Sequence, residues 1–118
     1  MSMISLLDSA TEKGNEAHFL VAKVVHAIFH DVWCFIPAQG WRVIENGHYF
    51  IKEEAILKIK LALSTCVSGA FSEHMIKQIN LFKKETEESA SKIATYLLNA
   101  PYKELIICEC EQLFFKSD

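Results

Sequence analysis

The sequence predicts an α+β domain: about four helices around a small three-stranded antiparallel meander. Three observations carry that reading. The first is Asn46-Gly47, flanked by the β-forming runs Trp41–Glu45 and His48–Lys52. Both positions of a type I′ turn need φ > 0, and Asn-Gly meets that need at least cost. The second is Val32-Trp33-Cys34-Phe35-Ile36, too short for a helix and rich in β formers. The third is apolar spacing near 3.6 residues before and after these strands.

The elements follow in order. Residues 1–15 read as a leader with about one helical turn, punctuated by Gly14-Asn15. A single domain over 16–118 follows, running helix, meander, then three helices. Its first helix spans Glu16 to His30, with Leu20, Val21, Val24, Val25 and Ile28 on one face and Lys23, His26 and His30 opposite. Pro37 ends the first strand and Gln39-Gly40 turns the chain. Alternation then places Trp41, Val43 and Glu45 on one side of the second strand, Arg42 and Ile44 on the other. So small a sheet needs helices against it.

Glu53-Glu54 opens the next helix, where acids favour the dipole. Its apolar stripe is Ile56, Ile59, Leu63 and Val67, widened by Leu57 and Leu61, with an expected stop at Ser68-Gly69. Ser72 reads as the N-cap of a third helix holding Ile76, Ile79 and Phe82, then Ile93, Ala94, Leu97 and Leu98. Lys83–Ser91 is polar, either a solvated face or a break. Asn99-Ala100-Pro101 separates it from a last helix, Tyr102–Phe115, that is apolar nearly all round.

Composition bounds the function. The chain has 118 residues, 51% hydrophobic, with a net charge of −3. That suits one domain with a real core and gives no global attraction for nucleic acid. The four cysteines lack a C-x-x-C pair, and the reading is three small core residues plus one exposed thiol in a reducing compartment. Asp8 interrupts the first apolar run and no basic region precedes it, so no signal peptide is expected. No window reads as long enough to cross a bilayer, and the expectation is a soluble intracellular protein with no membrane partner.

No catalytic signature is present: no phosphate-cradling glycine motif, no nucleophile elbow, and no paired aspartates for a two-metal centre. The chain alone is expected to be no enzyme, with no cofactor. His26 and His30 are spaced to share a metal, but further ligands are missing. Cys108 and Cys110 fall on different helix faces. Arg42, Lys52, Lys58 and Lys60, beside Trp41 and Tyr49, are candidate contacts for single-stranded DNA by stacking and phosphate pairing. The plainer alternative has Trp41 and Phe50 anchoring the sheet. Leu105, Ile106, Leu113, Phe114 and Phe115 on the last helix form a candidate interface.

The order of segments resembles the domain preceding the helicase in poxvirus-type primase–helicases of large DNA viruses and some mobile elements. The apolar helix Val21–Asp31 and the short strand come first. A W-x-x-F-x-N-x-x-W-like hairpin follows, matched at Trp41, Ile44, Asn46 and Tyr49, with Ile44 and Tyr49 standing where the pattern has Phe and Trp. The helix Ile56–Ser64 and the segment Pro101–Phe114 complete the likeness, which covers Ala17 to the end. The resemblance implies a non-catalytic collar domain that supports assembly of a helicase ring and helps engage DNA, in host cytoplasm or at a site of viral DNA replication. Its partners would be the helicase domain or other copies of the chain, with weak single-stranded DNA binding. The alternative is a stand-alone adaptor that binds protein through the last helix.

Overall fold

A computed structural model describes residues 2–117. The architecture is α+β and mostly helical, with a three-stranded antiparallel sheet, as expected. Helices α1 (Met3–Lys13) and α2 (His18–Phe29) precede the strands β1 (Trp33–Ile36), β2 (Gly40–Glu45) and β3 (His48–Ile51). Then come α3 (Lys52–Ala62), a π-helical turn (Leu63–Val67), α4 (Ser68–Asn80), α5 (Lys84–Tyr96) and α6 (Ala100–Leu113).

The meander forms as the sequence requires. Asn46 and Gly47 sit at φ 52° and 80°, and Glu45 pairs with His48 across them. Trp41 and Val43 are buried while Tyr49 and Ile51 on the edge strand are exposed. The sheet order is β1-β2-β3. Beyond α6 the chain returns to the β1 edge, where Phe35 N–H donates to Phe114 O at 2.9 Å and Lys116 N–H donates to Phe35 O at 2.9 Å. These bonds cap the β1 edge and leave β3 as the open one among the described residues.

Several expectations need correction. Residues 1–15 are not a leader with one turn. Ser2 caps a three-turn helix through the Ser5 N–H, and Leu7, Ala10 and Thr11 of α1 are buried. Met3 and Leu6 pack beside Leu7 and Ala10 on the core, an apolar face that the sequence reading passed over. The helix beginning at α3 does not stop at Ser68-Gly69, and Ser72 caps nothing. Helix runs unbroken from Lys52 to Asn80, 29 residues. A mid-helix glycine costs only about 1 kcal/mol, and burial of Leu63, Val67 and Phe71 on either side of it outweighs that. The joined helix is long and apolar enough to cross a membrane by length and composition, contrary to the sequence reading. In this fold its apolar stripe, Ile59, Leu63, Val67 and Phe71, lies in the core.

The π turn is stitched in place by hydroxyls. Ser68 donates to Ala94 O at 2.8 Å, and Ser64 accepts from Lys103 Nζ at 2.8 Å. The wider turn rotates the buried face, so α4 buries Phe71, His74 and Gln78. Ile76, Ile79 and Phe82, expected inside, are exposed. The break falls at Leu81-Phe82-Lys83, at the head of the polar run: α4 ends at Asn80, and Lys84–Ser91 is helical, the first part of α5, which packs back on α4.

Helix α6 begins where Asn99 Oδ1 accepts from the Tyr102 N–H at 3.2 Å, with Pro101 in the first turn. It packs on α2. Phe114 sits among Trp33, Trp41 and His26, at ring distances of 5.6, 5.5 and 4.9 Å. The cysteine expectation is also corrected: Cys110 is buried, Cys34 is half-buried, and Cys66 and Cys108 are exposed.

Candidate docking face

The four basic residues singled out in the sequence divide around the place where β2, β3 and α3 meet: Arg42 stands over Tyr49 on one face of the sheet, Lys58 over Phe50 on the other, and Lys52 and Lys60 line a groove beside Trp41. β3 passes into α3 with no loop between them, and Lys52 at that junction is held at φ 54°. A positive φ in a residue with a Cβ is strained and is kept only where the surroundings over-determine it. The tight junction folds α3 back across the sheet and opens two grooves along it.

One groove, about 510 Å³, is lined by Gly40, Trp41, Lys52, Ile56, Leu57 and Lys60, with Glu53 at its side. The other, about 240 Å³, is lined by Phe50, Glu54, Leu57, Lys58 and Leu61. Leu57 borders both, so it stands as a ridge between them. Leu57 is 65% exposed and Leu61, one turn on, is 61% exposed. They stand beside the open β3 edge, on the sheet face that carries Phe50, while Tyr49 and Ile51 are exposed on the opposite face.

The cations are less available than their number implies. Lys58 Nζ is 3.1 Å from Glu45 Oε1 and lies over the Phe50 ring. Lys60 Nζ is 3.6 Å from Glu104 Oε1 on α6. Arg42 donates to the neutral Gln39 at 3.0 Å and stands over Tyr49, and its charge meets no carboxylate among the described residues. Lys52 makes no ion pair among the described residues. Trp41 is buried against Phe35 and Phe114 and offers no stacking platform, in keeping with the plainer alternative. The face therefore reads as an apolar ridge with mixed charge around it. What the sequence missed is the exposure of Leu57 and Leu61, which the 3.6 spacing had assigned to a widened core stripe.

The interface expected on α6 divides. Ile106 and Phe114 are buried, which corrects their assignment to a surface: α6 lays one face on α2 and leaves Glu104, Leu105, Cys108 and Gln112 outside. Leu113 is partly buried, and only Leu105 and Phe115 are exposed.

The chemistry available elsewhere is limited. His26 and His30 are 5.8 Å apart between ring centres. No cluster of three or more metal-ligating side chains occurs among the described residues. Burial, aided by Glu109, pushes the Cys110 thiol up to about 12, so it stays protonated and unreactive. Burial likewise lifts Tyr102 to about 12, and its hydroxyl donates to Asn15 O at 2.8 Å, tying α6 to the loop after α1.

Comparison with protein-family models and with curated proteins finds no match to this chain.

Proposed function

We propose that this chain is a non-catalytic assembly module that associates with copies of itself through the β3–α3 face. The observation that supports it is the exposed Leu57–Leu61 ridge between two grooves, beside the open β3 edge. The surround carries both signs, with Arg42, Lys52 and Lys58 near Glu45, Glu53 and Glu54. Such a surface can be matched by itself, as an isologous contact requires. The setting implied by the resemblance is a collar beside a replicative helicase ring, where self-association of this kind would support assembly and the chain would neither hydrolyse ATP nor make primers.

The test is oligomeric state. Sedimentation equilibrium of the purified chain should show a concentration-dependent oligomer, and Leu57→Asp with Leu61→Asp should leave a folded monomer with unchanged far-ultraviolet circular dichroism. A wild-type chain that remains monomeric at high concentration ends this reading. An oligomer untouched by the double substitution moves the contact elsewhere, to the exposed Leu105 and Phe115 of the α6 end first.

A further inference from the structure

The turn between α4 and α5 is built in a way that packing does not explain. Lys83 N–H donates to Gln78 O at 3.0 Å, and Phe82 N–H donates to Ile79 O at 3.0 Å. These are the two bonds of a Schellman helix end, whose left-handed residue is ordinarily glycine. Here that residue is Phe82, at φ 58°, with its side chain 94% exposed. A bulky residue in this conformation is an outlier. It holds the ring out into solvent, at a cost both in backbone strain and in apolar exposure.

Phe82 is not alone. Leu81 beside it and Ile76 and Ile79 on the last turns of α4 are exposed as well. Lys77, Lys83 and Lys84 surround them, none in an ion pair among the described residues, and no acid lies between His74 and Lys84. Glu73 lies one turn before Lys77, and of the acids that follow, Glu85 and Glu87 stand in the first turn of α5, where they complement its dipole, with Glu88 next to them.

The position of the turn matters equally. The helix Lys52–Asn80 has 29 residues, which is about 43 Å of rise. The longest dimension of the molecule is 46 Å. The α4–α5 turn thus caps one end of the long axis, a convex tip about 37 Å along the helix from Leu57.

We infer that this tip docks on an anionic lipid surface, with Phe82 and Leu81 entering the headgroup–acyl boundary and Lys77, Lys83 and Lys84 contacting the headgroup anions. A hairpin tip cannot supply the roughly 800 Å² per partner of a stable protein interface. A bilayer asks for no matching shape, only apolar anchors and basic neighbours. The inference is independent of the assembly face.

Co-sedimentation with vesicles tests it. The chain should bind vesicles of equal parts phosphatidylcholine and phosphatidylserine, bind pure phosphatidylcholine far less, and release in high salt. Phe82→Gly puts the preferred residue at the helix end. It should raise the melting temperature by a few degrees while weakening vesicle binding by about tenfold. Lys83→Glu with Lys84→Glu should abolish binding. The Leu57→Asp, Leu61→Asp chain should bind vesicles like wild type, which separates failure here from failure of the assembly reading. Wild type that ignores the anionic vesicles, or Phe82→Gly that binds them equally well, overturns the inference. So does a Phe82→Gly chain that loses self-association instead, since the tip would then meet a second copy.

Discussion

Asp8 Oδ1 on α1 lies 3.0 Å from Nε2 of His74, a side chain only 2% exposed at the heart of α4. The Gln78 amide nitrogen packs 3.3 Å from the same atom, and its Oε1 accepts from the Thr86 hydroxyl on α5 at 2.7 Å. A polar cluster therefore sits among α1, α4 and α5, with one hydrogen bond from α4 to α1 and another from α5 to α4. It also explains the order of the amino-terminal helix, since α1 brings the carboxylate that serves a buried imidazole. The Nδ1 atom has no partner among the described residues, which suits a neutral ring donating from Nε2 to Asp8.

Stability should fall on mild acidification. Burial is the larger influence on His74 and lowers its pKa below 6.5, with Asp8 opposing and Lys77 adding to the fall. His26, packed on Phe114, is lowered by burial and then by His30. Both rings are therefore neutral in the fold at pH values where the unfolded chain already takes up protons. Their stabilising contribution is complete above about 6.5 and is lost as pH drops through the lowered folded values. Melting temperatures between pH 7.5 and 5 should decline, and His74→Gln should flatten the decline. A flat wild-type profile would contradict this account.

The two adjacent phenylalanines at the end of α6 should behave oppositely. Phe114 is 4% exposed and Phe115 is 59% exposed. Phe114→Ala should cost about 3–5 kcal/mol in urea unfolding, as emptied aromatic sites do. Phe115→Ala should change stability by less than about 1 kcal/mol. Equal effects would mean that the contact of the tail with β1 is not formed in solution.

This pair also shows how far the sequence could be read. The meander was legible because Asn46-Gly47 and the alternation of Trp41, Val43 and Glu45 are local signals. The core face of α2 was legible from periodicity, as was the line Ile59, Leu63 and Val67, but not the exposure of Leu57 and Leu61. The ends of the long helix were not, because a π turn at Leu63–Val67 shifts the register and Gly69 mimics a stop. Nor was the division of α6, since a helix apolar on every side does not declare which residues meet the tryptophans. At the candidate face, the division of Arg42, Lys52, Lys58 and Lys60 around the sheet and α3 was not legible. The pairing of Lys58 with Glu45 and of Lys60 with Glu104 depends on tertiary contacts that no local pattern encodes.

Two glycines should respond to alanine with opposite signs. Gly47 needs φ 80° in the hairpin turn, and Gly47→Ala should destabilise by about 1 kcal/mol. Gly69 lies within the long helix with open space where a Cβ would stand. Gly69→Ala should stabilise by about 0.5–1 kcal/mol. Denaturant midpoints of the two variants would decide both.

Binding to single-stranded DNA should be weak and mildly salt-dependent. With Lys58 and Lys60 paired to acids, Arg42 and Lys52 remain free among the four candidate cations. Two phosphate contacts give a slope of log affinity on log salt no steeper than about −1.4. Fluorescence anisotropy with a labelled oligonucleotide across a salt series measures it. A steeper slope would point to further basic contacts.

The π turn has one more consequence. Each residue in an α-helix advances the azimuth by about 100°, and the wide turn at Leu63–Val67 sets the angular phase between α3 and α4. Removing one residue there, Thr65 for instance, would restore regular winding. Phe71, His74 and Gln78 would keep their phase, because the wide turn holds one residue more than an α-helix needs for the same rotation. The turn acts as a vernier: its single unit of slack aligns two otherwise incommensurate stripes, so that a lone deletion is absorbed there, whereas one elsewhere in α3 would swing those three residues by nearly a third of a revolution.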